Sequence, residues 1–136
     1  MLGEKLGQVQ GSAKTTVLPA NGSTPRFENA VEMAGTVLGV EVNCLATYST
    51  ELRADGSLYG ECPNQGVFMT QSGEIATFRA TGIGRFNSDG GVDFGGVAYF
   101  QTSTSTLERL NGAAVVYEFG VDVNGNAKWD LWEWKY

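Results

Sequence analysis

The stretch Glu74-Ile75-Ala76-Thr77-Phe78-Arg79-Ala80-Thr81-Gly82-Ile83-Gly84-Arg85-Phe86 decides the fold class. Ala76, Phe78, Ala80, Gly82, Gly84 and Phe86 fall on one side of a period of two, with Ile75, Thr77, Arg79, Thr81, Ile83 and Arg85 on the other. Successive side chains of a strand point to opposite faces, so this pattern reads as a β-strand. Small residues beside aromatics on one face suit the tapering interior of a barrel. Glycines inside strands permit the coiling that closure requires. The same pattern recurs in 91–101, where Val92, Phe94, Gly96, Ala98 and Phe100 share a face. It recurs again in 112–123, with Ala113, Val115, Tyr117, Phe119 and Val121.

Working outward, strands are expected near 4–17, 26–38, 40–53, 57–62, 65–71, 74–86, 91–101, 112–123 and 126–135. Asp55-Gly56, Ser72-Gly73, Asp89-Gly90-Gly91 and Asn124-Gly125 punctuate them. Asn-Gly and Asp-Gly favour the type I′ hairpin, which needs positive φ at both central residues. Pro19 to Pro25, with Asn21-Gly22-Ser23-Thr24 between the prolines, reads as a loop. One helical turn is expected at 105–110: Ser105 and Glu108 have the form of a capping box, and Leu107 and Leu110 lie three apart. Strands this regularly spaced form a meander rather than β-α-β units. A sheet of about eight or nine strands must close or leave two edges, and no prolines guard the long strands. The expectation is a single all-β domain over 1–136, a closed antiparallel up-and-down barrel of about eight or nine strands with one short helical turn. A two-sheet sandwich is the alternative.

The chain has 136 residues, 42% of them hydrophobic and 18% charged, which is the composition of a globular domain. Nine basic residues against 15 acidic give a formal charge of −6. That balance argues against nucleic acid and against an anionic membrane surface as partners. No apolar run approaches the roughly 20 residues needed to cross a bilayer as a helix. Met1-Leu2-Gly3-Glu4-Lys5 lacks the basic start and apolar stretch of a signal peptide, so a cytoplasmic address is expected. Asn21-Gly22-Ser23 fits a glycosylation sequon but reads as a turn in that setting.

Cys44 and Cys62 fall on the two arms of the hairpin around Asp55-Gly56. Symmetric pairing sets Cys62 opposite Ser49 and leaves the cysteines roughly 17 Å apart along the strands. A disulfide needs Cα atoms within about 7 Å, so two free thiols are expected. The residues around Cys62, Glu61 and Pro63, offer nothing to lower its pKa, and both cysteines read as small buried hydrophobes.

Several stretches together carry a resemblance: Met1-Leu2-Gly3-Glu4-Lys5-Leu6-Gly7, Leu38-Gly39-Val40-Glu41-Val42, Gly56-Ser57-Leu58-Tyr59-Gly60-Glu61, Ala76-Thr77-Phe78-Arg79-Ala80-Thr81-Gly82, Leu110-Asn111-Gly112 and Leu131-Trp132-Glu133-Trp134-Lys135. The chain resembles a group of small uncharacterised bacterial β-barrel proteins. In strand pattern and length it is also similar to barrels of the allene oxide cyclase, dirigent and lipocalin type. The resemblance implies the barrel and transfers no catalytic residue, since fold does not fix function.

The chain contains no histidine. That removes Ser-His-Asp and Cys-His nucleophilic chemistry and the common zinc and non-haem iron sites. No cofactor is expected: there is no P-loop, and Gly82-Ile83-Gly84 is followed by Arg85, Phe86 and Asn87, so the dinucleotide fingerprint fails at its third glycine. Asp122, Asn124, Asn126 and Asp130 have some of the spacing of a calcium loop, but Ala127 stands where its glycine belongs, and the same residues make a hairpin turn.

Carboxylates remain as candidate catalytic groups. Glu118 shares its face with Ala114, Val116 and Gly120, and Glu61 shares its face with Tyr59. An interior carboxylate with a raised pKa, paired with Tyr48 or Tyr117, would serve a cofactor-independent isomerase or cyclase. The opposite reading puts both carboxylates on the solvent face. A binding barrel for a small, mostly apolar ligand is the leading expectation, with Phe78, Phe94, Tyr117 and Phe119 lining the pocket; the competing reading is that these rings fill the interior. All three tryptophans fall in 129–134: Trp129 with Leu131 on one face, Trp132 and Trp134 on the other. The second face points to an interaction protein, with Trp132 and Trp134 at a homodimer interface.

Overall fold

Eight strands form in the computed structural model, which describes residues 2–18 and 24–136. They are β1 (Leu2–Leu18), β2 (Arg26–Val37), β3 (Val40–Leu52), β4 (Leu58–Thr70), β5 (Ile75–Phe86), β6 (Val92–Thr102), β7 (Val115–Val121) and β8 (Asn126–Trp134). Each pairs antiparallel with the next, and β8 pairs with β1 from Leu2↔Trp134 to Ser12↔Asn126. The sheet is thus a closed up-and-down barrel, and the sandwich alternative falls. Most of the Pro19–Pro25 loop, including Asn21-Gly22-Ser23, lies outside the described residues.

The expected strands at 57–62 and 65–71 are one strand, β4. Pro63, Asn64 and Gln65 lie opposite the single residue Arg79 of β5, so the ladder is interrupted there and then resumes. Pro63 has no N–H for the ladder, and Asn64 takes positive φ (60°). A bulge absorbs both without ending the strand. It also returns Gly66 and Phe68 to the face that Cys62 occupies, so β4 stays inward-facing on both sides of the break.

The turns differ from the type I′ expectation. In four hairpins three residues bridge the strands: 54–56, 71–73, 88–90 and 123–125. In each, the residue before the bridge donates its N–H to the residue after it, as Arg53 does to Ser57 (2.8 Å) and Asp122 to Asn126 (2.9 Å). The glycine at the third place alone takes positive φ: Gly56 88°, Gly73 87°, Gly90 87° and Gly125 83°. This is the three-residue loop ending in a left-handed glycine. Asp55 and Asn124 keep negative φ and accept no type I′ strain. Side chains stiffen the bends: Asp122 Oδ1 accepts from the N–H groups of Asn124 and Asn126 (both 2.9 Å). The Asp122–Asn126 segment is therefore a self-bonded turn. Among the described residues the one two-residue bend with positive φ at both places is Leu38-Gly39 (53° and 75°), between the partners Val37 and Val40.

The Asp55-Gly56 hairpin also sits one residue off the expected register, with Ser49 opposite Glu61 rather than Cys62. Both cysteines are free and buried.

One end of the barrel is closed by the β6–β7 connection. Its 3-10 turn covers Glu108–Leu110, and Leu107 and Leu110 are fully buried. The capping-box expectation is corrected: no side chain caps the turn, and Ser105 contributes only its carbonyl, which accepts from the Glu108 N–H. Asn111 instead pins the segment like a strand partner. Its side chain accepts from the Thr102 N–H (2.9 Å) and donates to the Thr102 carbonyl (2.8 Å). Arg109 bonds Glu4 of β1 (2.9 Å) and Glu133 of β8 (3.4 Å), and Thr106 donates to Glu74 (3.1 Å). The buried leucines do the sealing, because exposed ion pairs contribute little.

Candidate functional site

Inward residues of β3 to β8 form two aromatic layers. Next to the leucine plug, Phe68, Phe78, Phe100 and Trp129 pack with ring centroids 5.0–6.2 Å apart. Toward the other end, Tyr48 meets the edges of Phe94 (6.2 Å) and Phe119 (5.7 Å). Tyr117 links the layers through Trp129 (5.6 Å). Glycines on neighbouring strands make room for these rings. A Cβ at Gly66 would lie 2.2 Å from the Phe78 ring, and one at Gly84 would lie 2.5 Å from Phe94.

Between the layers lies a cavity of about 60 Å³, part of roughly 470 Å³ of unfilled space when its opening is included. All four expected pocket residues, Phe78, Phe94, Tyr117 and Phe119, line it. The expectation omitted Val31, Met33, Ala46, Gly60 and Ala80, which line it as well. The signal was present in Val31-Glu32-Met33, an apolar pair flanking a charge at strand spacing. Both competing readings of the interior are thus partly met: rings fill the plugged half, and a small space remains in the other.

The two tyrosines differ. Tyr117 Oη donates to the Thr81 carbonyl (3.0 Å). The Tyr48 hydroxyl has no hydrogen-bond partner among the described residues, while its backbone carbonyl accepts from Asn29 (3.2 Å). Burial pushes both phenols well above their usual range. Each ionises in the unfolded chain first, so their protonated forms favour the folded state up to about pH 10, and this stability is lost as pH rises further. The melting midpoint is expected to fall above about pH 10. In an alkaline titration followed at 295 nm, Tyr48 and Tyr117 should yield their protons only as the barrel opens. Tyrosinate absorbance completed before any loss of the β-sheet signal would contradict this.

Cys62 lines the cavity, and burial raises its pKa. Burial and the nearby Cys62 push Cys44 up to about 12. Native protein at pH 8 is expected to leave both thiols unmodified by a disulfide reagent over minutes, and urea-unfolded protein to release two equivalents. Rapid reaction of either thiol in the native state would contradict the assigned burial.

The interior-acid expectation is corrected. Glu118 is exposed on the outer face, because its neighbours Tyr117 and Phe119 take the inside. Its face is otherwise apolar for a different reason: Val116 lies opposite Trp132 on the outside of the sheet. Glu61 borders the cavity along the chain, yet its side chain is exposed and accepts from Tyr59 Oη (3.3 Å). Among the described residues no lysine, arginine or aspartate lines the cavity. Among the described residues no cluster of three or more cysteines and carboxylates is placed to hold a metal ion.

Trp132 and Trp134 are on the outer side of β8, as expected. Trp132 is half-buried, with Lys5 Nζ 5.4 Å from its ring centre; Trp134 is 45% exposed and meets Tyr136 edge-on. No helix among the described residues is long and apolar enough to cross a membrane.

No protein-family model matches the chain, and no curated protein matches its sequence. Solved structures do match. A conserved protein of unknown function from Rhodopseudomonas palustris aligns over 98% of this chain and 97% of its own, with a TM-score of 0.80 at 12% identity. A β-barrel-like protein from Acinetobacter baumannii aligns over 99% and 96%, with a TM-score of 0.80 at 13% identity. An enzyme from Penicillium herquei aligns over 94% and 92%, with a TM-score of 0.61 at 12% identity. The chain shares their fold. At these identities the likeness extends to the barrel and no further.

Proposed function

We propose that this protein is a binding barrel for a small, mostly apolar, uncharged molecule. The observation that carries it is the aromatic-lined cavity with no charged side chain turned into it. A lone water needs about 10–15 Å³ and two to four polar partners, and this lining is poor in polar partners. The space admits a few heavy atoms as it stands; a six-membered ring needs the flexible Met33 side chain to turn. The likeness in shape to allene oxide cyclase, dirigent and lipocalin barrels belongs to the same proposal, since barrels of about eight strands can enclose one small ligand. The reducing cytoplasm is the proposed address, where two free thiols persist.

The test is a titration of ¹⁵N-labelled protein with cyclopentane, following the indole resonance of Trp129, which lines the cavity. A saturable shift is expected, and Ala46→Leu, which fills the space, should abolish it. No shift in the wild type overturns the proposal.

A second reading, a homodimer assembling through the Trp132–Trp134 face, draws support from the exposed apolar neighbours Leu2 (61%) and Trp134 (45%). Sedimentation of the wild type and of Trp134→Ser tests it: a dimer that the variant dissociates is expected, and a monomer in both rejects it.

A further inference from the structure

We infer that the ligand carries one neutral hydrogen-bond acceptor, a carbonyl oxygen above all, and that the Tyr48 hydroxyl is the group that recognises it. This rests on the binding-barrel reading and specifies its ligand class.

The inference follows from what each polar group in the cavity already does. Tyr117 is committed: its hydroxyl donates to the Thr81 carbonyl, and bare glycines at 82 and 96 make space for it, since a Cβ at either would lie 2.4 or 2.7 Å from that oxygen. The Tyr48 ring sits edge-on to Phe94 and Phe119, and its hydroxyl has no protein partner among the described residues and is not fully buried. Tyr48 is only partly buried and its oxygen keeps contact with solvent, so the hydroxyl can exchange water for a ligand atom; a tyrosine here rather than a phenylalanine makes no structural bond in return. The other polar side chains of the lining, the Cys62 thiol and the Trp129 indole N–H, are donors as well. A ligand that only donates would be served less well: Glu61 keeps its carboxylate outside, and the phenol oxygen and thiol sulfur are weaker acceptors than a carbonyl or carboxylate. An anion is disfavoured too, because no cationic side chain lines the cavity and its ionic form would be desolvated among rings. Burial keeps the Tyr48 proton in place across the ordinary pH range, so the group presents itself as a donor. A compact ketone or aldehyde with an apolar body satisfies this arrangement, its oxygen toward Tyr48 and its carbons against Phe94, Phe119 and Ala80.

Cyclopentanone and methylenecyclopentane, which share a shape and differ in C=O against C=CH₂, provide the test. Both are titrated into wild type and Tyr48→Phe, with the Trp129 indole resonance as readout. Wild type is expected to bind the ketone, and Tyr48→Phe to weaken it on the order of tenfold while leaving the alkene within about twofold. The carbonyl stretch of bound cyclopentanone gives a reading that needs no variant: it should lie lower than in cyclohexane solution, as for a hydrogen-bonded ketone. Tyr117→Phe, which loses a bond to the backbone instead, should lower stability without changing the ratio of the two affinities. If wild type takes the alkene but not the ketone, or Tyr48→Phe weakens both equally, or the bound carbonyl stretch is unshifted, the acceptor inference fails and the apolar barrel stands. If wild type binds neither solute, both fail together.

Discussion

Phe68→Ala is expected to cost about 3–5 kcal/mol and to lower the melting midpoint by roughly 10–20 °C. Phe68 is completely buried on β4, just past the bulge. Its ring centre lies 5.1 Å from Phe100, 5.5 Å from Phe78 and 5.9 Å from Trp129. Truncation removes the ring's transfer free energy and three aromatic contacts together. The void cannot close cheaply. Phe78 is seated over the bare backbone of Gly66, and Leu107 and Leu110 are tied down by the Asn111 and Arg109 bonds. Such a site falls at the upper end of the large-to-small range, because relaxation is what reduces the cost. Phe68→Leu, which keeps most of the volume, should recover a large share. Urea midpoints read by far-ultraviolet circular dichroism decide the matter. A loss below about 1 kcal/mol for Phe68→Ala would mean that the aromatic layer next to the leucine plug is loosely packed.

The interior was legible because β5, β6 and β7 keep an unbroken period of two along the ladders that join them. Once Ala76, Phe78 and Ala80 were set on one face, Phe94, Tyr117 and Phe119 followed from their own alternation, and all face inward. Parity alone does not say which face is inside where both are apolar. On β7 the outer residues Val116 and Gly120, with Ala114 just before the strand, resemble a core, because Trp132 lies beside Val116 across the next strand. Glu118 is a candidate interior acid for that reason, beside the solvent-face reading that the structure supports. Turn geometry was hidden for another. A glycine with positive φ closes both two- and three-residue loops, and only the register between strands separates them. Leu38-Gly39 went unmarked because leucine seldom takes positive φ; there, its side chain packs against the core. The cavity was the least legible feature. Its size depends on whether Tyr48, Phe94 and Phe119 meet face to face or edge to face, and no sequence pattern encodes ring tilt.

Gly96→Ala and Gly95→Ala, one residue apart on β6, are expected to have very different effects. A Cβ at Gly96 would stand 2.0 Å from the Thr81 carbonyl oxygen, 2.7 Å from the Gly82 Cα and 2.7 Å from Tyr117 Oη. Two of those obstacles are backbone of β5, fixed by the ladder that pairs Thr81 with Val97 and Gly82 with Gly96. The third is a ring held against Trp129. A single methyl therefore forces β5 and β6 apart or dislodges Tyr117 from the Thr81 carbonyl, leaving a buried hydroxyl without its acceptor. The expected loss is about 3 kcal/mol, the upper part of the range for overpacking. At Gly95 the same methyl points outward and meets nothing within 4 Å. Alanine there restricts the unfolded chain more than glycine does, so Gly95→Ala should change stability by less than about 1 kcal/mol, in the stabilising direction. Paired urea titrations give both values. Equal losses at the two positions would contradict the inward setting of Gly96 and with it the seat assigned to Tyr117. A loss confined to Gly96→Ala would show that β5 and β6 approach closely enough to exclude a single methyl group on the barrel's inner side.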